Sequence, residues 1–157
     1  LLKQLSAATG ETASFYVRQE DKRIALFRTE PARAVRAAVQ IGQEYAITQG
    51  ASGKVLLAFS DERNAVYAEI RNRLWAVSYG ERDPETASVA APVFGISGDL
   101  QGALTLSGPR DRLAQPEAMF KACRQVLEAA KEATQAMGGG VQIFVKPLAT
   151  LTVEQFV

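Results

Sequence analysis

The sequence predicts an α+β domain in which an antiparallel sheet of five or six strands is flanked by helices. Three observations predict this class. Two segments that alternate apolar and polar residues follow each other near the amino terminus, and three further strand-like segments, separated by turns, follow from the middle of the chain onward. A long amphipathic helical pattern comes after them. The composition, 157 residues with 47% hydrophobic and 22% charged, suits one domain with one core.

The first part of the chain predicts a helix followed by a β-hairpin. Leucines recur at helical spacing in residues 1–9, and Gly10 can end this helix. Residues 11–30 alternate on both sides of a polar turn, which predicts an antiparallel hairpin. Residues 33–42 fit a helix by their alanines or a strand by their alternating valines, and we favour the strand. The first helix begins at residue 1 without a capping residue, so we expect that a preceding segment is missing.

The middle of the chain predicts two helices and then three strands. The segment GASGKVLLAF is a glycine-rich turn that opens an apolar helix, and an amphipathic helix follows from Ser60 or Asp61. The segments AVSY, TASVAAPVF and LQGALTLSG predict strands. Because short polar or glycine-containing turns join them, they predict an antiparallel meander.

The last part of the chain predicts one long helix and a tail. Pro116 suits the first turn of a helix from about 116 to 137 that lies on the sheet and ends at three glycines. Its apolar stripe is predicted to be Met119, Ala122, Val126, Ala130, Ala133 and Met137. Residues 139–157 predict a short strand, a proline turn and an exposed tail of unknown role. We therefore place the domain in residues 1–138.

Composition argues against several classes of function. The chain has no histidine, the usual general base and zinc ligand, so we expect no catalytic residue, metal or cofactor. Lys and Arg total 18 against 17 for Asp and Glu, too small an excess for a nucleic-acid surface. One cysteine, Cys123, allows no internal disulfide, and no apolar run is long enough to span a bilayer. We expect a soluble cytoplasmic protein that does not bind membranes.

The glycine-rich turn before the mid-chain helix is a candidate anion site. It is not a nucleotide P-loop, since Thr48 stands where that motif needs glycine and Val55 where it needs Ser or Thr. Small residues at a helix start leave backbone amides free beside the positive end of the helix dipole, which suits a carboxylate. The alternative, that these residues only allow the helix to pack closely, is equally open.

Four hydroxyl residues lie on or beside the strands that the meander brings together: Ser78, Ser88, Thr105 and Ser107. Thr105 and Ser107 are two residues apart and therefore point to one sheet face. A serine on a sheet is usually just exposed to solvent. If it faces the free amides, however, this row supplies convergent polar groups for a small oxygen-rich ligand.

Other polar residues are weaker candidates. Glu81, Asp83 and Glu85 lie in a loop whose composition predicts solvent exposure. Lys54 is a nucleophile only if burial activates it, so an anion partner or a surface lysine is the better interpretation. Cys123 lies in the long amphipathic helix, where cysteine behaves as a small apolar side chain.

Five segments in order, LSAATGETASFYVR, GASGKVLLAF, AVSYGERD, ASVAAPVF and LTLSGPRDRL, resemble the effector-binding domain of IclR-type transcription factors. The resemblance covers residues 1 to about 138. It implies a GAF-like fold, with a curved antiparallel sheet, helices on one side and a small-molecule pocket on the other. It also implies a sensor and not an enzyme, with a small carboxylate or aromatic acid as effector.

The resemblance also implies site residues and partners. The ligand-contacting positions of the family carry onto Gly50, Ala51, Ser52, Ser78, Ser88, Thr105 and Ser107. A homo-oligomer, dimer or tetramer, is implied, in which the effector controls DNA binding by a winged helix-turn-helix that this chain lacks. Residues 60–74 are short for the family, so the pocket cover is expected to be altered. Two alternatives are a dimerisation module with a vestigial pocket and a small enzyme that uses Lys54, or the Glu81 and Asp83 carboxylates.

Overall fold

A six-stranded antiparallel sheet is the centre of the structure, a computed structural model that describes residues 1–31, 41–60 and 65–157. The strands are β1 Thr12–Gln19, β2 Lys22–Thr29, β3 Glu44–Ala46, β4 Ala76–Tyr79, β5 Thr86–Phe94 and β6 Leu100–Pro109. They lie in the order β3-β2-β1-β6-β5-β4 and every neighbouring pair is antiparallel. This confirms the predicted α+β class, the hairpin as β1 and β2, and the meander as β4 to β6.

The helices lie on both faces of this sheet. Those of the described residues are α1 Leu2–Thr9, α2 Ala51–Ala58, α3 Ala68–Arg73, α4 Arg110–Leu113, α5 Pro116–Ala136 and α6 Val145–Thr150, with 3₁₀ turns at Ala65–Tyr67, Gln142–Phe144 and Val153–Phe156. As predicted, α1 ends at Gly10, which has a φ of 72°. The strand favoured over residues 33–42 falls mostly outside the described residues, and so does the start of the helix predicted from Ser60 or Asp61.

The two faces of the sheet carry different residues because side chains alternate along each strand. On one face, Val89, Ala91 and Val93 of β5 pack in the larger hydrophobic core, which α5 covers. On the other face, Ala90 of β5 belongs to a second core that includes most of α2. The expectation that the helices lie on one side is therefore incomplete, because α2 lies on the opposite face from α5.

Helix α5 is the main cover of the larger core. It begins at Pro116, as predicted, and its buried residues are Met119, Ala122, Cys123, Val126, Leu127, Ala129, Ala130 and Thr134. Including Met137 in the buried stripe was wrong, because it follows the last helical residue and is 47% exposed. Cys123 is buried as a small apolar side chain, and burial raises the pKa of its thiol. The thiol therefore stays uncharged near neutral pH.

The carboxyl-terminal residues pack into the core, which corrects the predicted strand and exposed tail. Residues 142–156 instead form α6 and two 3₁₀ turns. Phe144, Leu151 and Phe156 are buried, and the Phe156 ring stacks on Trp75 with 4.8 Å between ring centroids. The apolar segment VQIFV suggested a strand, but burial of Phe144, Leu151 and Phe156 against the core determines the observed structure.

Candidate functional site

A small cavity lies between the amino-terminal end of α2 and the second face of the sheet. Its volume is about 30 Å³. The structure brings all seven sequence-predicted ligand-binding residues to its wall: Gly50, Ala51, Ser52, Ser78, Ser88, Thr105 and Ser107. These residues come from one helix and three strands that are far apart in the sequence. Their convergence is a finding, and their role in binding stays a prediction.

The strand register places the hydroxyl groups side by side. Ser88 of β5 lies directly opposite Ser78 of β4 and Ser107 of β6, so all three share one face. Thr105 follows on that face two residues from Ser107. Because Ser78, Thr105 and Ser107 are buried, the alternative that they are simply solvent-exposed is wrong. The Thr105 hydroxyl, 4% exposed as a residue, has no hydrogen-bond partner among the described residues.

The turn that opens α2 presents backbone amides to the cavity. Gly50 has a φ of 90°, in the left-handed region that favours glycine. Its N–H donates to Oε1 of Glu81 at 3.3 Å, and the N–H of Ala51 donates to Oγ of Ser88 at 3.4 Å. Both distances are longer than those of typical N–H···O bonds. A carboxylate thus already lies at this helix start, as the helix dipole favours.

The alternative interpretation of the glycine-rich turn, that its small residues allow the helix to pack closely, applies to Gly53. A Cβ on Gly53 would lie 2.9 Å from the carbonyl carbon of Ile47 and closer still to its oxygen. Only glycine allows α2 to approach the preceding backbone this closely. The two interpretations of the turn therefore apply to different residues. Gly50 begins the helix beside the cavity, and Gly53 allows the helix to pack closely against Ile47.

The acidic loop after β4 is largely exposed, as predicted, and Glu81 in this loop also contacts α2. Glu81 forms an ion pair with the ammonium group of Lys54, and Nζ of Lys54 also donates to the Val77 carbonyl at 2.8 Å. Both charged side chains are about one-third exposed, so the pair contributes about 1 kcal/mol or less. Lys54 is an anion partner, as favoured from the sequence. The burial that a lysine nucleophile needs is not met.

Five residues outside the predicted ligand-binding set also line the cavity: Tyr16, Arg23, Arg82, Asp83 and Thr86. Arg23 is the most informative of them because it is only 3% exposed. Its guanidinium carbon lies 4.6 Å from the ring centroid of Tyr16 and 4.9 Å from that of Tyr45, and its Nε donates to the Gln49 carbonyl at 3.2 Å. Burial lowers the pKa of the Arg23 guanidinium, and the nearby Tyr16 opposes this shift.

The signal for Arg23 is present in the sequence, although it is ambiguous. Because side chains alternate along β2, one of two sets of residues must face the sheet interior: Ile24 with Leu26, or Arg23 with Ala25. The more hydrophobic set is the expected core face. The structure buries Arg23 and Ala25 and leaves Leu26 exposed. The feature of the sequence that indicates this site is therefore a charged residue, Arg23, at an inward-facing position of a strand.

The described residues hold no candidate metal cluster and no candidate membrane-spanning helix. Across residues 1–31, 41–60 and 65–157, no three or more Asp, Glu or Cys side chains are grouped so that they could hold a metal ion. Within the same residues, every helix is too short or too polar to cross a bilayer.

Comparison with known proteins identifies the type of domain. The family model for the bacterial transcriptional regulator IclR C-terminal domain matches residues 1–68 and 64–135. The chain belongs to the IclR family. The IclR match covers all seven predicted cavity residues, and it ends before the packed tail of residues 139–157. The resemblance inferred from the sequence is thereby confirmed.

Individual relatives of this IclR domain are transcriptional regulators. The HTH-type regulator BhcR of Paracoccus denitrificans is 30% identical over 164 residues, which cover 87% of this chain but 58% of that protein. An IclR-family regulator from a Rhodococcus species has a crystal structure with a TM-score of 0.80 and 27% identity, covering 87% of this chain and 60% of that one. The crystal structure of the C-terminal domain of a Vibrio cholerae regulator has a TM-score of 0.73 and 27% sequence identity. It covers 83% of this chain and 90% of that one. The relatives point to a regulatory domain and away from an enzyme.

Proposed function

We propose that this IclR domain senses a small carboxylate or aromatic acid that binds in the cavity between α2 and the hydroxyl-bearing face. The observation that carries the proposal is the buried Thr105 hydroxyl, which lacks a partner among the described residues and lines the same cavity as the residues that open α2. An unsatisfied buried polar group costs about 1–3 kcal/mol, so a ligand oxygen that bonds to it contributes to affinity. The other cavity hydroxyls and the helix start supply further donors.

The size of the cavity favours a compact ligand. A volume of about 30 Å³ holds very few water molecules. An acid of two or three carbons requires only a modest widening of the wall between α2 and the sheet. An aromatic acid requires a larger opening of the same wall. We therefore place small aliphatic acids before aromatic acids as effectors.

The proposed role in the whole protein is control of DNA binding. The chain spans 58% of the length of BhcR, whose name includes a helix-turn-helix, so the relative has room for a further domain. A ligand that binds one arrangement of a homo-oligomer, dimer or tetramer, more tightly than another shifts the population between them. In this proposal that shift changes DNA binding by a winged helix-turn-helix domain in the cytoplasm.

A thermal-shift screen of the purified chain against small carboxylates and aromatic acids tests this function. An acid at a hundred times its dissociation constant adds about 2.7 kcal/mol to the free energy of unfolding. We expect at least one acid to raise the melting temperature, and we expect the double variant Ser88→Ala, Ser107→Ala to lose most of that rise because it removes two cavity hydroxyls. Ser97→Ala, which changes an exposed serine, is the matched control and keeps the full response.

Two results would contradict the proposed function. If no acid stabilises the chain while it still self-associates, a dimerisation module with a vestigial pocket explains the domain better. If an acid stabilises the double variant as much as the unmodified chain, the ligand binds somewhere other than the hydroxyl face.

A further inference from the structure

We propose that Arg23 recognises the carboxylate of the effector and makes the cavity selective for acids over their neutral analogues. This inference rests on the proposed function, since it names a residue and a ligand class for the same cavity. Arg23 was not among the ligand-binding residues expected from the sequence. Its assignment follows from its burial, its partners and its position beside α2.

The first argument is that Arg23 is a buried cation with no anionic partner among the described residues. It is 3% exposed, and no ion pair between described residues includes it. The rings of Tyr16 and Tyr45 and the carbonyl of Gln49 satisfy part of the guanidinium, which has five N–H donors. A buried charge without a counterion is costly, and a carboxylate that binds it in the fork geometry relieves that cost.

The second argument is the position of the guanidinium at the start of α2. A Cβ on Gly50 would lie 3.0 Å from Nη2 of Arg23, so the guanidinium packs directly against the residue that precedes the helix. The positive end of the helix dipole and the guanidinium therefore border the same part of the cavity. The unpartnered hydroxyl of Thr105 belongs to the same wall. An anion there meets positive potential and a free hydroxyl together.

The charges around the cavity set the expected charge of the ligand. Arg82 also lines the cavity, and its guanidinium carbon lies 4.9 Å from the ring centroid of Tyr45, the same ring that Arg23 contacts. Asp83 is the one acidic residue among the described lining residues. Lys54 neutralises Glu81 at the helix start, so the two guanidinium groups and the Asp83 carboxylate leave a single positive charge in excess. The site therefore favours a monocarboxylate with a hydroxyl or oxo group for the serine and threonine side chains.

Calorimetric titration of the purified chain with matched acids and amides tests this inference without any substitution. The probes are glycolate, lactate and benzoate, each compared with glycolamide, lactamide and benzamide. The members of each pair have nearly the same shape and differ in the charge that Arg23 would bind. We expect an acid to bind about 10- to 100-fold more tightly than its amide, the range for a hydrogen bond to a charged group.

Arg23→Gln then separates recognition from a structural role. We expect it to lower the affinity for the acid by about 10- to 100-fold while the affinity for the amide changes little, because only the acid loses its charged partner. Lys22→Gln, which removes an exposed positive charge from the neighbouring position of β2, is the matched control and keeps the preference for the acid. Circular dichroism confirms that each variant is folded.

The possible results distinguish this inference from the proposed function. If acids and amides bind equally well and the Ser88→Ala, Ser107→Ala variant loses both, the cavity is a ligand site but the role of Arg23 is wrong. If folded Arg23→Gln keeps the full preference for the acid, that role is also wrong. If none of the six probes binds the unmodified chain, the inference fails, whereas the proposed function fails only if no acid in the thermal-shift screen stabilises the chain.

Discussion

Gly53→Ala is expected to destabilise the domain by about 3 kcal/mol or more, at the upper end of the range for an overpacked position. The new Cβ would lie 2.9 Å from the carbonyl carbon of Ile47, and the neighbour is backbone that cannot rotate away. Helix α2 must then shift away from residue 47. Urea denaturation followed by the fluorescence of Trp75, the one tryptophan of the chain, measures the loss.

Gly140→Ala is the matched control for this prediction. No atom lies within 4 Å of a Cβ at that position, so the control is expected to stay within about 0.5 kcal/mol of the unmodified chain. Because α2 also carries the amides beside the cavity, any Gly53→Ala protein that folds is expected to lose the response to acids. A stability of Gly53→Ala equal to that of the control would show that the contact of α2 with residue 47 is not tight.

Phe156→Ala is expected to cost about 3–5 kcal/mol, the usual range for truncation of a buried aromatic residue. Phe156 is 8% exposed, stacks on Trp75, and makes an edge contact with Phe120 at 6.4 Å between centroids. Removing the ring opens a cavity at the surface of the larger core and changes the environment of Trp75. Chemical denaturation gives the free energy, and the native-state emission of Trp75 reports the lost stacking.

Val157→Ala is the control for Phe156, since the neighbouring residue is 94% exposed. We expect it to leave both the free energy of unfolding and the emission unchanged. If Phe156→Ala behaves like Val157→Ala, the tail does not contribute to the core in solution, and the original expectation of an exposed tail would be restored.

The sheet was predictable because its signals are local. Alternation in β1 and β2, the apolar strand-like segments of β5 and β6, and the short turns between strands determine the hairpin and the meander. The tail was not predictable in this way, since Phe144 and Phe156 are buried by partners such as Trp75 that are distant in sequence. Short apolar segments of this kind take the structure that their tertiary contacts allow.

The candidate site was predictable only in part. The hydroxyl residues could be grouped because the meander places Ser78, Ser88 and Ser107 in register, and the resemblance to the IclR family marked the turn at Gly50. Arg23 could not be found from its strand, because the alternative face of β2 is more hydrophobic. Its inward orientation depends on the aromatic rings of Tyr16 and Tyr45, which accept a buried guanidinium.

The most direct test of acid sensing at this cavity is a ¹H–¹⁵N NMR titration of the isotope-labelled chain with glycolate, lactate and benzoate. If one of these acids binds as proposed, the largest shifts occur at the backbone amides of Gly50, Ala51, Ser52 and Thr105, which border the cavity. The groove between α1 and α5, which includes Ala8 and Lys121, then shows little change. Largest shifts in that groove, or no saturable shifts with any of the three acids, would contradict the proposal.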